Sequence, residues 1–420
     1  MRTFFRQLRT VPFPRVFSLY LGLAAYGFLA LSSALTSRAA LLEASDGTVN
    51  DLFGDSVSQS GSSGLVGAGS QYGVKQGWAY LFRNLDTANG TVTQSAKLVA
   101  SDGALGDYFG NSVSQSGNSG LVGAYYGDIT YTNQGAAYLF RNLDTATGTV
   151  NQTAKLIASD GASNDALGYS VSLSGSIGLV SAHGAVIGAN RQGAAYIFRN
   201  LDTVTGTVTQ AAKLIASDGA ANDAFSVSVS LSGNSGLAGA YAKNSSQGAA
   251  YLYRNLDTAT GTVTQNAKLT ASDGAANDYL GFSVSQSGSN GLVGAYGKNS
   301  SQGAAYLFRN LDTATGTVTQ TAKLTASDGA TGDFFGFSVS QSGNNGLAGA
   351  YGKNSSQGAA YLFRNLDTAS GTVAETVKIT ASAGAANDQF GFSVGLDGDQ
   401  FIIGAQKGNG MTVDSGTAYS

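Results

Sequence analysis

Aspartates are the residues of this sequence whose type and spacing point most directly to chemistry. Ala-Ser-Asp-Gly segments recur along the chain, and a second aspartate follows each Asp position by five residues. Calcium prefers carboxylate ligands but needs about six to eight oxygens, so calcium binding by these loops is an alternative interpretation. Aspartates also accept hydrogen bonds from loop N–H groups and fix turns, and recurrence in every unit favours that structural role. The first aspartates are Asp46, Asp102, Asp160, Asp218, Asp273 and Asp328, with Ala383 at the seventh position, and the second are Asp51, Asp107, Asp165, Asp223, Asp278, Asp333 and Asp388.

A further acidic pair, Asp397 and Asp399, lies in a predicted hairpin turn near the end of the chain. These two are weak candidates for metal ligands, because no third acid follows them in register. We expect a solvated turn at this position. The sequence therefore predicts no cofactor, with calcium as the alternative.

The catalytic repertoire of the chain is narrow. It contains 0 Cys and 1 His, which excludes thiolate metal sites and a cysteine nucleophile. His183 has no obvious acidic partner in the sequence, so we expect a loop residue rather than a general base. No serine lies in the Gly-x-Ser-x-Gly arrangement of a nucleophile elbow. We predict a protein that is not an enzyme, with a carbohydrate-active enzyme as an alternative.

The aspartate pairs mark seven repeats, spaced by 55 to 58 residues. Within one repeat, residues 335–341 alternate large and small side chains, 347–351 and 359–364 are apolar, and 372–381 contains a further strand. Four short strands repeated radially are typical of a β-propeller blade. The predicted fold is all-β, a seven-bladed β-propeller of four-stranded antiparallel blades that spans residues 41–420.

The two ends of this region are complementary. Residues 41–46 match the fourth strand of a repeat, and residues 416–420 match a third strand. We therefore expect the N-terminal strand to join the last blade and close the ring, which would cover open sheet edges.

The first forty residues have the order of a secretory signal peptide. Arginines precede an apolar run at residues 16–31, and a small, polar segment follows. We predict that residues 1–40 are a signal peptide and that the mature chain is secreted or displayed at the cell surface. Contact with a membrane is expected only through this segment if it stays uncleaved. The remaining chain has 18 basic against 26 acidic residues, a balance that argues against nucleic acid as a partner.

Three short segments that recur in the repeats resemble those of a known family. Phe335-Gly336-x-Ser338-Val339, then Gly346-Leu347-Ala348-Gly349-Ala350 and Gly358-Ala359-Ala360-Tyr361, are similar to the FG-GAP repeat. This resemblance implies the seven-bladed propeller of integrin α-subunits and of exported bacterial proteins. Two departures are visible. Other residues, such as Tyr351 and His183, replace the proline that usually ends the Gly-Ala-Pro segment. Six of the seven loops between the first two strands lack the aspartates of the calcium-binding form, and the last keeps only Asp397 and Asp399.

Loops between the second and third strands vary most and carry candidate ligand-binding residues. Loops on a rigid scaffold are common binding sites, and tyrosine offers broad contact area with a polar tip. The predicted function is an exported binding or adhesion module for a protein or carbohydrate ligand. The alternative besides the enzyme is a structural surface-layer or matrix component. The candidate residues are Tyr72, Tyr125, Tyr126, Tyr131, His183 and Arg191.

Overall fold

The computed structural model of the chain describes residues 40–70, 73–410, 412 and 414–420. Within these residues the fold is all-β, and seven sheets form the blades of a β-propeller. The predicted signal peptide lies, apart from its last residue, outside the described residues. None of the helices in the described part has the length and apolar character needed to span a membrane.

The two inner strands of each blade form an antiparallel hairpin. Alternation of large apolar and small residues is the pattern of a strand, and the hairpin turns on a glycine with positive φ, such as Gly61 (φ 56°). The first strands, which define blades 1 to 7, are Phe53–Ser60, Val113–Ser116, Leu167–Ser174, Phe225–Ser232, Val284–Ser287, Val339–Ser342 and Phe390–Asp397. The second strands are Ser63–Ala68, Ser119–Ala124, Ile177–Ala182, Ser235–Ala240, Asn290–Ala295, Asn345–Ala350 and Gln400–Ala405.

The third strand is the most deeply buried element of a blade. In blades 2 to 6 all of its residues are buried, as in Ala136–Phe140, because it lies inside the sheet with neighbouring blades on both faces. The third strands are Trp78–Phe82, Ala136–Phe140, Ala194–Phe198, Ala249–Tyr253, Ala304–Phe308, Ala359–Phe363 and Thr417–Tyr419. The fourth strands of blades 1 to 6 are Ala96–Val99, Ala154–Ile157, Ala212–Ile215, Ala267–Thr270, Ala322–Thr325 and Val377–Ile379.

Six of the seven blade sheets in the described residues have a fifth strand in addition to the four that were expected. After a third strand the chain crosses to the preceding blade, pairs in parallel with its fourth strand, and returns. The predicted single strand at residues 372–381 is in fact two, Gly371–Ala374 and Val377–Ile379. The fifth strands of blades 1 to 5 and 7 are Gly148–Asn151, Gly206–Thr209, Gly261–Thr264, Gly316–Thr319, Gly371–Ala374 and Thr91–Thr93.

The hydrophobic core is divided into seven clusters, each between two adjacent blades. Between blades 2 and 3, for example, Leu139 packs with Tyr196 and Phe198. Glycine allows the sheets to approach closely: a Cβ on Gly123 would overlap the carbonyl oxygen of Gly168 in the next blade. Stability therefore depends on every blade having a neighbour on each side.

Serine hydroxyls join the innermost strands of successive blades. Ser114 Oγ accepts a hydrogen bond of 2.9 Å from the backbone N–H of Leu173, and Ser172 Oγ accepts one of 2.8 Å from Leu231. Blades 5 and 6 are joined in the same way, through Ser285 and the N–H of Gln341. These bonds satisfy inner-strand N–H groups that the sheet leaves unpaired.

The first and last described strands pair with each other. Leu41–Glu43 lies antiparallel to Thr417–Tyr419, with Leu41 opposite Tyr419, and takes the fourth position in the sheet of blade 7. The innermost strands of blades 1 and 7 also meet, where Ser393 Oγ donates to Gly54 O at 2.7 Å.

The loops of each blade lie at two opposite ends. Loop 125–134 meets the connection that contains the aspartate pair of the next blade, through hydrogen bonds such as Asn164 N–H to Thr132 O. We call this end the loop face. At the other end the turn after the third strand meets the inner hairpin, as in Leu143 N–H to Asn118 O, and we call it the hairpin face.

Short ordered segments shape the loop face. One loop forms a two-stranded hairpin, Val186–Ile187 with Asn190–Arg191. Three others contain the one-turn segments Lys243–Ser246, Lys298–Ser301 and Lys353–Ser356. Their Asn-Ser-Ser residues have left-handed backbone angles, with φ of 52°, 58° and 65° in residues 299–301.

Candidate functional site

The second aspartate of every repeat stabilises the turn that enters its blade. Asp278 Oδ2 accepts a hydrogen bond of 2.7 Å from the backbone N–H of Ala275, three residues earlier. All seven second aspartates make this bond, which confirms the predicted turn role. They are Asp51, Asp107, Asp165, Asp223, Asp278, Asp333 and Asp388.

The first aspartate of each pair binds a lysine, and in four blades the structure also shows a tyrosine hydroxyl donating to it. In blade 6, Asp328 accepts hydrogen bonds from Lys378 Nζ at 2.6 Å and from the Tyr361 hydroxyl at 2.8 Å. Partial burial raises the pKa of Asp328, but these two donors outweigh burial and lower that pKa to about 2. The carboxylate therefore stays ionised and engaged by protein groups.

Asp397 and Asp399 make contacts between blades. Asp397 Oδ2 accepts a hydrogen bond of 2.7 Å from the backbone N–H of Gly61 in blade 1. Asp399 forms an ion pair of 2.6 Å with Arg364 of blade 6. No group of three or more acidic or histidine side chains able to hold a metal occurs among the residues that the structure describes.

A cluster of tyrosines stands on the loop face at blade 2. The rings of Tyr125 and Tyr126 are 4.3 Å apart, and Tyr108 lies 5.2 Å and 5.4 Å from them. Tyr126 is 39% exposed and Tyr125 is half-buried, and Tyr131, in the same loop, is 52% exposed. Of the predicted ligand-binding tyrosines, Tyr72 lies outside the described residues.

His183 packs inward and Arg191 remains at the surface. The imidazole lies 4.3 Å from the Tyr169 ring, and its Nδ1 is buried without a hydrogen-bond partner in the described residues. Burial, together with the positive charge of Arg191, lowers the pKa of His183 to about 4, so the imidazole is neutral at physiological pH. The guanidinium of Arg191 donates to backbone carbonyls of Gly184 and Asn164.

A cavity of about 330 Å³ opens on the axis of the propeller, among the innermost strands. Each blade contributes several residues to its wall, among them a serine, and one of them lies two positions after Phe53 in blade 1 or its equivalent in the other blades. These last residues, which we call the axial ring, are polar in blades 1 to 3 and apolar in blades 4 to 7. They are Asp55, Asn111, Tyr169, Val227, Phe282, Phe337 and Phe392.

A second tier of side chains packs on this axial ring. It comes from the position after the Gly-Ala or Ser-Ala that ends each second strand, and it is mostly aromatic. Tyr351 lies 4.6 Å from Phe337, and Tyr296 lies 4.8 Å from Phe282. The members are Gly69, Tyr125, His183, Tyr241, Tyr296, Tyr351 and Gln406.

Asp55 is the acidic residue of the axial ring. Its carboxylate accepts no hydrogen bond from a side chain or backbone N–H among the described residues. The carboxylates of Asp51, Asp278 and Asp328, by contrast, all accept such hydrogen bonds. Burial raises the pKa of Asp55 to about 7. The cavity thus contains a carboxyl group that is costly to ionise.

The repeat pattern decides the family of this chain. The family model of the FG-GAP repeat matches seven segments, 36–82, 92–140, 150–198, 208–253, 263–308, 318–363 and 373–419. The chain belongs to the FG-GAP repeat family. No curated protein sequence matches it. Two crystal structures of Sqt1 from Chaetomium thermophilum are similar to it, with TM-scores of 0.49 and 0.48 at 12% and 13% identity. This chain is covered to 89% and 85%, and theirs to 83% and 77%, a likeness that adds nothing about function.

The predicted ligand-binding residues of this FG-GAP propeller fall into two groups by position. Tyr126, Tyr131 and Arg191 lie at the rim of the loop face, whereas Tyr125 and His183 belong to the aromatic tier around the axis. The sequence interpretation missed the axial ring, including Asp55. Its signal was the residue after Phe-Gly, or after the equivalent Leu-Gly or Phe-Ser, which changes from Asp and Asn through Tyr and Val to Phe along the chain.

Proposed function

We propose that this FG-GAP propeller is an exported, non-catalytic binding or adhesion module that recognises a protein or glycan surface with its loop face. The observation that carries the proposal is the exposure of two tyrosines in one loop of blade 2, Tyr126, which belongs to the tyrosine cluster, and Tyr131. Tyrosine side chains lose little conformational entropy on binding and combine an apolar ring with a polar tip.

The scaffold beneath these tyrosines supports recognition by a preformed surface. Tyr126 rests edge-on against Tyr108, with an interplanar angle of 89°, and Asn133 N–H donates to Asp128 in the same loop at 2.7 Å. Blades 1 and 3 pack on either side of blade 2. A surface that is already ordered loses little further conformational entropy when a ligand binds.

The chemistry of His183 supports a non-catalytic role. A general base works best with a pKa near the working pH, whereas burial and Arg191 lower the pKa of His183 to about 4. The paired aspartates are likewise held in turns and ion pairs, as with Asp328 and Lys378. Binding is therefore the activity that the geometry favours.

Export is supported by the sequence of residues 1–40, and it places the proposed ligand outside the cell or at its surface. The test of location is surface labelling and fractionation of producing cells, followed by mass spectrometry of the chain's N-terminus. We expect an extracellular or surface-exposed chain that begins near residue 40. Intact chain retained in the cytoplasm would contradict export.

Ligand recognition can be tested with residues 41–420 on a glycan array and in capture of extracellular proteins. We expect a saturable ligand whose binding falls at least about tenfold in the double variant Tyr126→Ser, Tyr131→Ser. The matched control is Asp144→Asn on the hairpin face, where the side chain is exposed. Equal binding by the double variant, or no ligand in either screen, would overturn the proposal.

A further inference from the structure

The axial cavity combines one carboxylate with a wall of aromatic rings. Phe282, Phe337 and Phe392 follow one another around the axis, with ring centroids 4.8 Å and 5.0 Å apart. All three are partly exposed although they lie in the middle of the molecule, because they face the cavity. Aromatic faces carry negative charge density and attract cations that have shed their water.

The carboxylate of Asp55 lies within this aromatic surround. Burial raises the pKa of Tyr125 and of Tyr169, and the negative charge of Asp55 adds to both shifts. Blade 1 has glycine in the second tier, and a Cβ on Gly69 would stand 3.2 Å from Asp55 Oδ2. The small residue at this position leaves room beside the carboxylate that the tyrosines of other blades would occupy.

A carboxylate without a donor in a partly buried site is costly to ionise, and a ligand that pairs with it recovers that cost. A neutral apolar ligand would leave Asp55 unpaired. An anion would be repelled by it. A metal ion needs about six to eight oxygen ligands, usually including several carboxylates, whereas Asp55 is the one carboxylate that lines the cavity, beside neutral groups such as Asn111 and the serine that each blade contributes.

We propose that the axial cavity binds a small organic ammonium cation, with Asp55 as its counter-ion and Tyr169, Phe337 and their neighbouring rings as its aromatic wall. The volume of about 330 Å³ is at the small end of ligand pockets, which run from about 300 to 1,000 Å³. It accommodates a quaternary ammonium group with a short substituent. The exposed tyrosines of the loop face, Tyr126 and Tyr131, do not line this cavity, and the proposal does not depend on the function proposed for that face.

The test uses calorimetry of residues 41–420 with choline and with 3,3-dimethylbutan-1-ol, its neutral isostere. The two molecules share shape and hydroxyl group and differ in the charge. We expect choline to bind and the neutral alcohol to bind at least about tenfold more weakly, since an ion pair and cation–π contacts are lost. Equal affinities, or no heat of binding with choline at high concentration, would overturn the proposal.

Two substitutions assign the site. Asp55→Asn keeps the side-chain shape and removes the charge, and we expect at least about a tenfold loss of choline affinity. Phe337→Leu keeps an apolar wall without the ring face, and we expect a smaller loss of about threefold to tenfold. Asp144→Asn, on the hairpin face, is the control and should bind choline like the unaltered chain. Melting curves of all variants verify folding, and retention of choline affinity by folded Asp55→Asn would contradict the site.

A separate measurement keeps this proposal distinct from loop-face binding. The double variant Tyr126→Ser, Tyr131→Ser should bind choline with unchanged affinity, because neither tyrosine lines the cavity. A parallel loss of choline binding in that variant would place the cation at the loop face and overturn the axial site.

Discussion

Gly61 and Asp397, separated by 336 residues in sequence, are joined by a hydrogen bond of 2.7 Å between the Gly61 N–H and Asp397 Oδ2. At other junctions between blades a serine hydroxyl accepts the corresponding bond, as Ser60 does from Gly117 N–H at 3.0 Å. The innermost strands of blades 7 and 1 are therefore joined through the N–H of the hairpin glycine, as at the other junctions. The acceptor is the carboxylate of Asp397 where the other junction has the hydroxyl of Ser60. Asp397 is a junction residue of the ring.

Replacing Asp397 tests this junction. Asp397→Ala removes the acceptor and should lower the free energy of unfolding by about 1 kcal/mol, which for a domain of this size is a fall in Tm of roughly 1–2 °C. Asp397→Ser supplies the hydroxyl used at the other junctions and should recover much of the loss. Calorimetric melting of the three proteins is the measurement. Equal melting temperatures for all three would show that the bond adds no stability.

Asp55 should make stability depend on pH in an unusual direction. Burial raises its pKa from 3.8 to about 7, so the folded protein holds this proton more tightly than the unfolded chain does. The free energy of unfolding contributed by Asp55 therefore falls as pH rises from about 4 to about 7, and it levels off above that. Burial is the cause of the shift, and the nearby hydroxyls of Tyr125 and Tyr169 remain protonated throughout this range because their own pKa values are raised.

The comparison of Asp55→Asn with the unaltered chain isolates this effect, because other aspartates are common to both. We expect the stability of Asp55→Asn, relative to the unaltered chain, to increase across the same pH window in urea unfolding experiments. The opposite trend, or a constant difference, would contradict a buried and unpaired carboxyl group.

Left-handed backbone at Ser300 predicts that glycine is better tolerated there than alanine. Ser300 has φ of 58°, a conformation that costs residues with a Cβ about 1 kcal/mol or more. Ser300→Gly should raise the free energy of unfolding by roughly 0.5 kcal/mol after the greater entropy of the unfolded chain is included. Ser300→Ala is the matched control and should bring no gain. Chemical unfolding checks both, and a Ser300→Gly variant less stable than Ser300→Ala would refute the argument.

The outer edge of blade 6 should open more readily than that of blade 5. Lys323 and Lys378 hold equivalent places opposite Tyr306 and Tyr361, but only the strand of Lys323 has a fifth strand beside it within the described residues. The side chain of Leu362 in blade 6 is 8% exposed, whereas its counterparts in blades 1 to 5 are 0% exposed. This difference agrees with a fifth strand beside the fourth in blades 1 to 5 but not in the described part of blade 6.

Amide hydrogen exchange measures this difference directly. The backbone N–H at the same position in blade 7, on Leu41, donates to Gly90 O of the fifth strand at 2.8 Å. We therefore expect the Lys378 amide to exchange faster than the Lys323 amide. Equal protection at the two sites would show that another group covers the edge.

Much of the architecture was predictable because the strands and turns repeat. The alternation in 335–341 and the aspartate turn at Asp333 predicted the blade and its entry loop. The fifth strand was missed because Gly371–Ala374 continues almost directly into Val377–Ile379, and only three-dimensional pairing shows that they belong to different sheets.

The axial ring was hidden for a different physical reason. In blade 1 the pairing register shifts between Phe53 and Ser56, so a bulge interrupts the period-two alternation where Asp55 lies. Alternation alone then does not tell which face of the strand a side chain takes. The same local shift occurs in blades 3, 4 and 7. Tyr126 and Tyr131 were predictable as exposed loop residues because they lie outside any strand.

The most direct test of the account is a disulfide between the first and last described strands, since both proposed binding surfaces depend on the pairing of these strands to close the ring. The chain has 0 Cys, so Leu41→Cys with Tyr419→Cys gives a clean background, and directly opposed residues of an antiparallel pair lie within disulfide reach. The account predicts an intramolecular disulfide after oxidation of the folded protein, detected by mass spectrometry, and a markedly lower yield when oxidation is done in denaturant. Free thiols in the oxidised folded protein, or disulfides between molecules only, would contradict it.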